Sequence, residues 1–174
     1  MIIIGIDPGT RRTGYAVIET ASPTPHLLAL GALAPSPRKP FQVRLLEIYR
    51  GIEEIVAEFR PDEMAIESVF VKDNVSAALK IGHMRGVALL VAALHGLEVG
   101  EYSPADIKQA TVGSGAASKD QVQFMVTALM KLAETPSEDE ADAIAVALCH
   151  SNRCRLTGTS EDSRVDILRK GHSC

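Results

Sequence analysis

Tryptophan is absent from this 174-residue chain, which has only four Phe and three Tyr. An aromatic side chain in a loop therefore stands out. Cysteine is also scarce. Cys149, Cys154 and Cys174 are odd in number, and two lie in or beside a polar C-terminal stretch. That usage predicts free thiols and excludes a disulfide framework. The C-x-x-x-x-C pair is read as lacking companion ligands nearby, so zinc is not expected. No apolar run reaches the ~20 residues of a membrane span. The first residues lack a basic n-region and a small-residue cleavage site. A cytoplasmic protein is expected. Internal repeats are missing. Positive charge is not in excess: 18 Lys and Arg stand against 22 Asp and Glu, a net charge of −4. This argues mildly against a nucleic-acid partner, which draws on cationic side chains. Distribution matters more than the sum, and a site that holds cations with carboxylates makes its own protein acidic.

What is present is a globular composition. Apolar residues make up 46% of the chain, enough for one domain with a full-sized core. "MIIIGID" reads as a buried strand, followed by "TGYAVIET" and "LLALGALA". The links are too short for helices, so these three strands should be antiparallel. Leu45, Ile48, Ile52, Ile55, Val56 and Phe59 recur at helical spacing. "EMAIES" predicts a fourth strand, residues 74–96 a long apolar helix closed by Gly96, and "LEVGEYS" a fifth strand. Ser103-Pro104 opens a short helix. Ser118 with Gln121, and Ser137 with Glu140, have capping-box spacing ahead of two further helices. From Asn152 the chain is polar and aperiodic. The expected organisation is one α/β domain over residues 1–151, with residues 152–174 a flexible polar tail.

Right-handed crossovers would set the fourth and fifth strands parallel to the first. Asp7 at the end of strand one then lies beside Glu67 at the end of strand four. Two adjacent buried carboxylates repel each other, and a divalent cation such as Mg²⁺ removes that cost. Asp139 and Asp142 are three apart and share a helix face; Glu138 and Asp142, four apart, could share one too. Such a set suits phosphodiester hydrolysis by paired ions. Each signal alone is ordinary. Asp-Pro-Gly is a common turn, and acids in a first helical turn favour the dipole without any function. Lys119 sits just after an N-cap, where a cation opposes the dipole unless an anion binds nearby. Lys108, Arg11, Arg12, Lys72, Lys80 and Arg85 are further phosphate-contact candidates. Phe70, in the loop after Glu67, could stack on bases. A nucleotide phosphotransferase, a non-catalytic DNA-junction module and an RNA-directed nuclease remain alternatives on the residues alone.

The stretches "GIDPGTRRTGY", "AIESVFVKDNVSAALKIGHMRGVAL", "DIKQATVGSGAASKDQVQFMV" and "EDEADAIAVALCH" are collinear from Met1 to about His150. Together they resemble the RuvC-type Holliday junction resolvases of the ribonuclease H-like superfamily. The resemblance implies a ribonuclease H-like five-stranded mixed sheet flanked by helices. It implies a catalytic, metal-holding set of Asp7, Glu67, Asp139 and Asp142. Lys119 and Lys108 map to substrate handling and Phe70 to junction stacking. It further implies a homodimer that places two symmetric nicks in a four-way DNA junction, leaving 5′-phosphate and 3′-hydroxyl ends. Two Mg²⁺ per site, replaceable by Mn²⁺, and the branch-migration partners RuvA and RuvB follow from the same likeness. The helix over residues 74–95 is apolar around much of its surface and is the expected dimer face.

Overall fold

Strand β1 (Ile2–Asp7) is central because both of its faces are apolar until its last residue. The structure is a computed structural model. It describes residues 1–21, 24–68 and 75–161, with side chains through residue 155. β2 (Thr13–Glu19) and β3 (His26–Leu33) extend the sheet on one side as antiparallel neighbours. Helix α1 (Phe41–Phe59) crosses over to β4 (Glu63–Glu67), which pairs with β1 in parallel. Helix α2 (Val75–His95) leads to β5 (Glu98–Tyr102), parallel to β4. The sheet order is β3-β2-β1-β4-β5, the mixed arrangement expected from the sequence.

Alternation divides the side chains between two layers. Ile4 and Ile6 of β1, with Val17, Met64 and Ile66, pack under α1 and α2. Ile3, Ala16, Ile18 and Ala65 face the other way, towards α3 (Pro104–Val112), α4 (Lys119–Leu129) and α5 (Glu138–Glu161). α5 lies between the sheet and the α3–α4 pair, and every residue from Ala143 to Ser151 is buried. It lies close to the sheet because β1 and β2 present glycine there. A Cβ on Gly5 would stand 2.4 Å from the Ala143 carbonyl oxygen and 2.8 Å from Ala147 Cβ.

The helix that begins at Glu138 does not stop at His150 but continues to Glu161, so the boundary drawn at residue 151 falls inside α5. In the first polar residues of this stretch the helical backbone continues while the side chains leave the core: Asn152, Arg153 and Arg155 are exposed, and Cys154 is half-buried. In addition, α2 alone among the described helices is long and apolar enough to cross a membrane by length and composition. Lys80, His83 and Arg85 interrupt it, and Met84, Ala88, Val91 and Ala92 bury one face in the core.

Candidate active site

The parallel register pairs Ile6 with Ile66, so Asp7 and Glu67 stand abreast, one residue further along adjacent strands. Neighbouring strands lie ~4.8 Å apart. Both residues have the parity of Gly5 and Ala65, which places them on the α5 side. Across β1's other edge Asp7 is paired with Gly14. A Cβ on Gly14 would stand 2.0 Å from the Asp139 carbonyl oxygen. Glycine there lets the first turn of α5 rest on the sheet beside Asp7, and brings Asp139 and Asp142 to the same rim. In that first turn the Glu140 carboxylate accepts from the Ser137 N–H at 2.8 Å and from its hydroxyl at 2.7 Å, consistent with the expected cap.

Four carboxylates from three elements therefore interact. Burial, then the charges of Glu67, Asp142 and Asp139, push the Asp7 carboxyl up to about 8. Its hydrogen bond with Glu67 adds to the rise. The Glu67 carboxyl is itself raised by burial and Asp142, while the bond from Asp7 and the charges of Lys119 and Lys108 pull it back. Burial raises Asp142 as well, Glu138 and Asp139 add to this, and Lys119 and Lys108 oppose it. All-oxygen, hard donors with this unrelieved repulsion fit a divalent cation of the Mg²⁺ type.

The opposite wall is basic. Glu67, Asp142, Lys108, Lys119, Ile107 and Val122 line a cleft of about 180 Å³. Lys108 is carried by α3, whose cap Ser103 accepts from the Asp106 N–H while Asp106 bonds back to the Ser103 N–H. Lys119 opens α4 directly after the Ser118–Gln121 capping box, as expected. Its ammonium lies 3.0 Å from Glu138, and both side chains are about two-thirds exposed. The hydrogen bond to Glu138, with the Asp142 and Asp7 charges, raises the Lys119 pKa. The cation at this helix start is thus offset by the protein's own acids.

The remaining basic candidates separate. Arg12 pairs with Asp139 at 2.8 Å. Arg11 is exposed on the same turn. Arg85 is committed to Glu101 of β5 instead of standing open for phosphate. Its neutralising partner comes from a distant strand, which helical spacing could not reveal. Lys80 is exposed on α2, outside the cleft lining. Phe70 and Lys72 lie outside the described residues. Two positioning residues escaped sequence reasoning. Gly14 was visible only as part of "TGY". Arg44 of α1 donates to the Thr10 carbonyl oxygen and ties the turn after Asp7 to the helix layer. An Arg in an otherwise amphipathic helix carried no signal of that role.

The profile of crossover junction endodeoxyribonuclease RuvC matches residues 3–150. The chain belongs to the RuvC family. A RuvC of Chromohalobacter salexigens is 50% identical over 150 residues, covering 86% of this chain and 80% of that protein. One from Dehalococcoides mccartyi is 49% identical over 163 residues, covering 92% and 99%. In three dimensions the chain is similar to Thermus thermophilus RuvC in complex with a Holliday junction substrate. The TM-score is 0.85 at 33% identity, covering 90% of this chain and 96% of that one. The yeast mitochondrial resolvase Ydc2, 12% identical with a TM-score of 0.61, shares the fold. As a RuvC, the chain is a crossover junction endodeoxyribonuclease with the ribonuclease H-like fold.

Proposed function

We propose that this RuvC resolves four-way DNA junctions by paired symmetric nicks in strands of like polarity, leaving 5′-phosphate and 3′-hydroxyl ends. The observation that carries the reading is the Asp7 carboxyl. It is held on a rigid strand end with its proton affinity raised by burial and by three acidic neighbours, two of which, Glu67 and Asp142, line the cleft with Lys108 and Lys119. Asp7 is central to the cluster and would help to hold a Mg²⁺ pair, or the Mn²⁺ ions that replace them. Glu67, Asp139 and Asp142 complete the ligand set. Bound ions would supply a nucleophilic hydroxide at neutral pH and offset charge on the departing 3′ oxygen. Lys119 and Lys108 would hold the non-bridging oxygens of the scissile phosphate, orienting it for in-line attack. Arg11, exposed on the turn after Asp7, would meet the flanking backbone.

The Thermus protein was captured with a junction, and that substrate is carried over here. A junction has paired strands of like polarity, so a two-fold dimer offers each its own site. α2 supplies a suitable face: Val75, Leu79, Leu90 and Leu94 are exposed, and an apolar groove of about 650 Å³ runs past Leu45, Leu79, Gly82 and Leu90. A second copy of α2 would cover this face. The cellular role is recombination and repair in the cytoplasm, alongside RuvA and RuvB. The test is a synthetic mobile junction with and without Mg²⁺, with nicks mapped on all four strands. Symmetric paired nicks only with Mg²⁺ are expected. Cutting of linear duplex at the same rate, or symmetric nicking in EDTA, would refute the reading.

A further inference from the structure

We propose that Glu63, His150 and Cys154 form a binding site for a zinc-class divalent cation, separate from the acidic cleft. The three ligand atoms lie within 4.8 Å of one another. His150 Nε2 is 2.5 Å from a Glu63 carboxylate oxygen, and Cys154 Sγ is 3.5 Å from that same oxygen. The companions of Cys154 are not its sequence-near cysteine. One is His150, four residues back on the same face of α5, where helical i and i+4 side chains adjoin. The other is on a strand 91 residues away.

The placement follows from the fold. Glu63 and Glu67 are the first and last residues of β4 and share its α5-facing parity. Four strand residues span ~13 Å, and the eight helical residues from Asp142 to His150 span ~12 Å. The strand–helix pair therefore has a carboxylate-bearing centre at each end. The donors differ in kind. The cleft offers only hard oxygens, whereas the far end offers imidazole, thiolate and one carboxylate, a set that selects zinc over Mg²⁺.

The site is built around the imidazole. The His150 side chain is 7% exposed. Its ring sits over Gly100 of β5, where a Cβ would come within 2.3 Å of Nδ1. The Tyr102 hydroxyl lies 2.6 Å from that same Nδ1. This is the outer partner a metal-bound histidine needs, since it fixes Nε2 as the ligand atom. A tetrahedral ion with bonds of about 2.0–2.3 Å sets its ligands roughly 3.3–3.8 Å apart. The oxygen–sulfur distance already fits, and the oxygen–nitrogen distance must open by about 0.8 Å, within reach of a Glu side chain that is 26% exposed. In the bound form Nε2 is the ligand atom and the imidazole proton sits on Nδ1, which donates to the Tyr102 oxygen. The thiol proton is released to solvent. Water takes the fourth position.

The experiment uses the full chain with excess Mg²⁺ to occupy the cleft, and titrates Zn²⁺ and Co²⁺ against a chromophoric chelator. One Zn²⁺ per chain is expected, and the Co²⁺ form should show thiolate-to-cobalt charge-transfer absorption in the near ultraviolet. Cys154→Ser should abolish that band. Tyr102→Phe should weaken zinc binding by about 10–100-fold, and Glu63→Gln, which removes a ligand, by at least about 10-fold. A hundredfold excess of zinc over Kd should raise the melting temperature by about 5–10 °C. Circular dichroism and Mg²⁺-dependent nicking verify that each variant folds. The proposal is overturned if the charge-transfer band is absent, if it survives in Cys154→Ser, or if Glu63→Gln binds zinc as tightly as the parent.

Discussion

Replacing Gly14 with alanine tests whether backbone packing, and not the acids alone, builds the active site. The new Cβ would stand 2.0 Å from the Asp139 carbonyl oxygen. Ordinary contact begins near 3.4 Å, so the start of α5 must retreat by about 1.4 Å. No flexible side chain can absorb this, because the obstacle is backbone. Asp139 and Asp142 ride on that turn and move together, while Asp7 and Glu67 stay on the sheet. Reactive constellations tolerate roughly 0.5 Å, and a 1 Å misplacement costs about 100-fold in rate. Overpacking should cost ~1–3 kcal/mol of stability. For a chain of this size that lowers the melting temperature by about 2–12 °C. The assay is single-turnover nicking of a synthetic junction at saturating Mg²⁺. Junction binding by gel shift in Ca²⁺ and a thermal melt accompany it. Cleavage should fall about 100-fold while binding changes by no more than a few-fold. Nicking within twofold of the parent, with an unchanged melt, would refute the claim that Gly14 sets the position of the α5 acids.

The metal-free protein should lose stability as pH rises from about 4 to about 8. The native state holds the Asp7 proton more tightly than the unfolded chain does, with its carboxyl pushed up to about 8. Mg²⁺ should flatten that slope in thermal melts. Asp7→Asn should flatten it without metal and abolish nicking. Lys119→Met should leave the melt within ~0.5 kcal/mol, because its pair with Glu138 is exposed. Its nicking rate should fall at least about tenfold if the ammonium meets the phosphate. Leu79→Asp with Leu90→Asp should turn a dimer into a monomer by light scattering at micromolar concentration, since both side chains are more than half exposed on the apolar α2 face. Arg12→Ala should lower the Mg²⁺ concentration for half-maximal nicking by up to ~5-fold, because it frees Asp139 from a pair worth at most ~1 kcal/mol.

Much of this was legible in the residues because the signals were local and repeated. Apolar runs ending in Asp7 and Glu67 gave two strands, and crossover handedness made them neighbours. The Ser118–Gln121 box gave the start of α4 to the residue. The hidden parts depend on distant partners. The tie from Arg44 to Thr10, the pairing of Arg85 with Glu101 and the Glu63–His150–Cys154 group each join residues 16 to 91 positions apart. The Ser103–Asp106 box was passed over because its third helical residue is Asp, not the usual Glu or Gln. The last turns of α5 carry little sequence signal for a different reason. Amphipathic periodicity fades once a helix leaves the core, although its backbone hydrogen bonds continue.

Side-chain parity explains why so costly a cluster can be held in place. Asp7 shares a face with Ile3 and Gly5, and the alternate residues Ile4 and Ile6 are fully buried on the opposite side. Slipping β1 by one residue would relieve the carboxylates, but it would drive Asp7 under α1 and α2 and expose both isoleucines to the wrong layer. The α5 side has no space for them: even a Cβ at Gly5 would stand 2.4 Å from the Ala143 carbonyl oxygen, so the slipped register is blocked by backbone. The glycines at 5 and 14 add a second lock, since only their positions let α5 approach the sheet. The acids are therefore not placed by their own interactions, which are unfavourable until cations arrive. The apolar alternation and the glycine seam force them together, and the cation binding that follows recovers the cost.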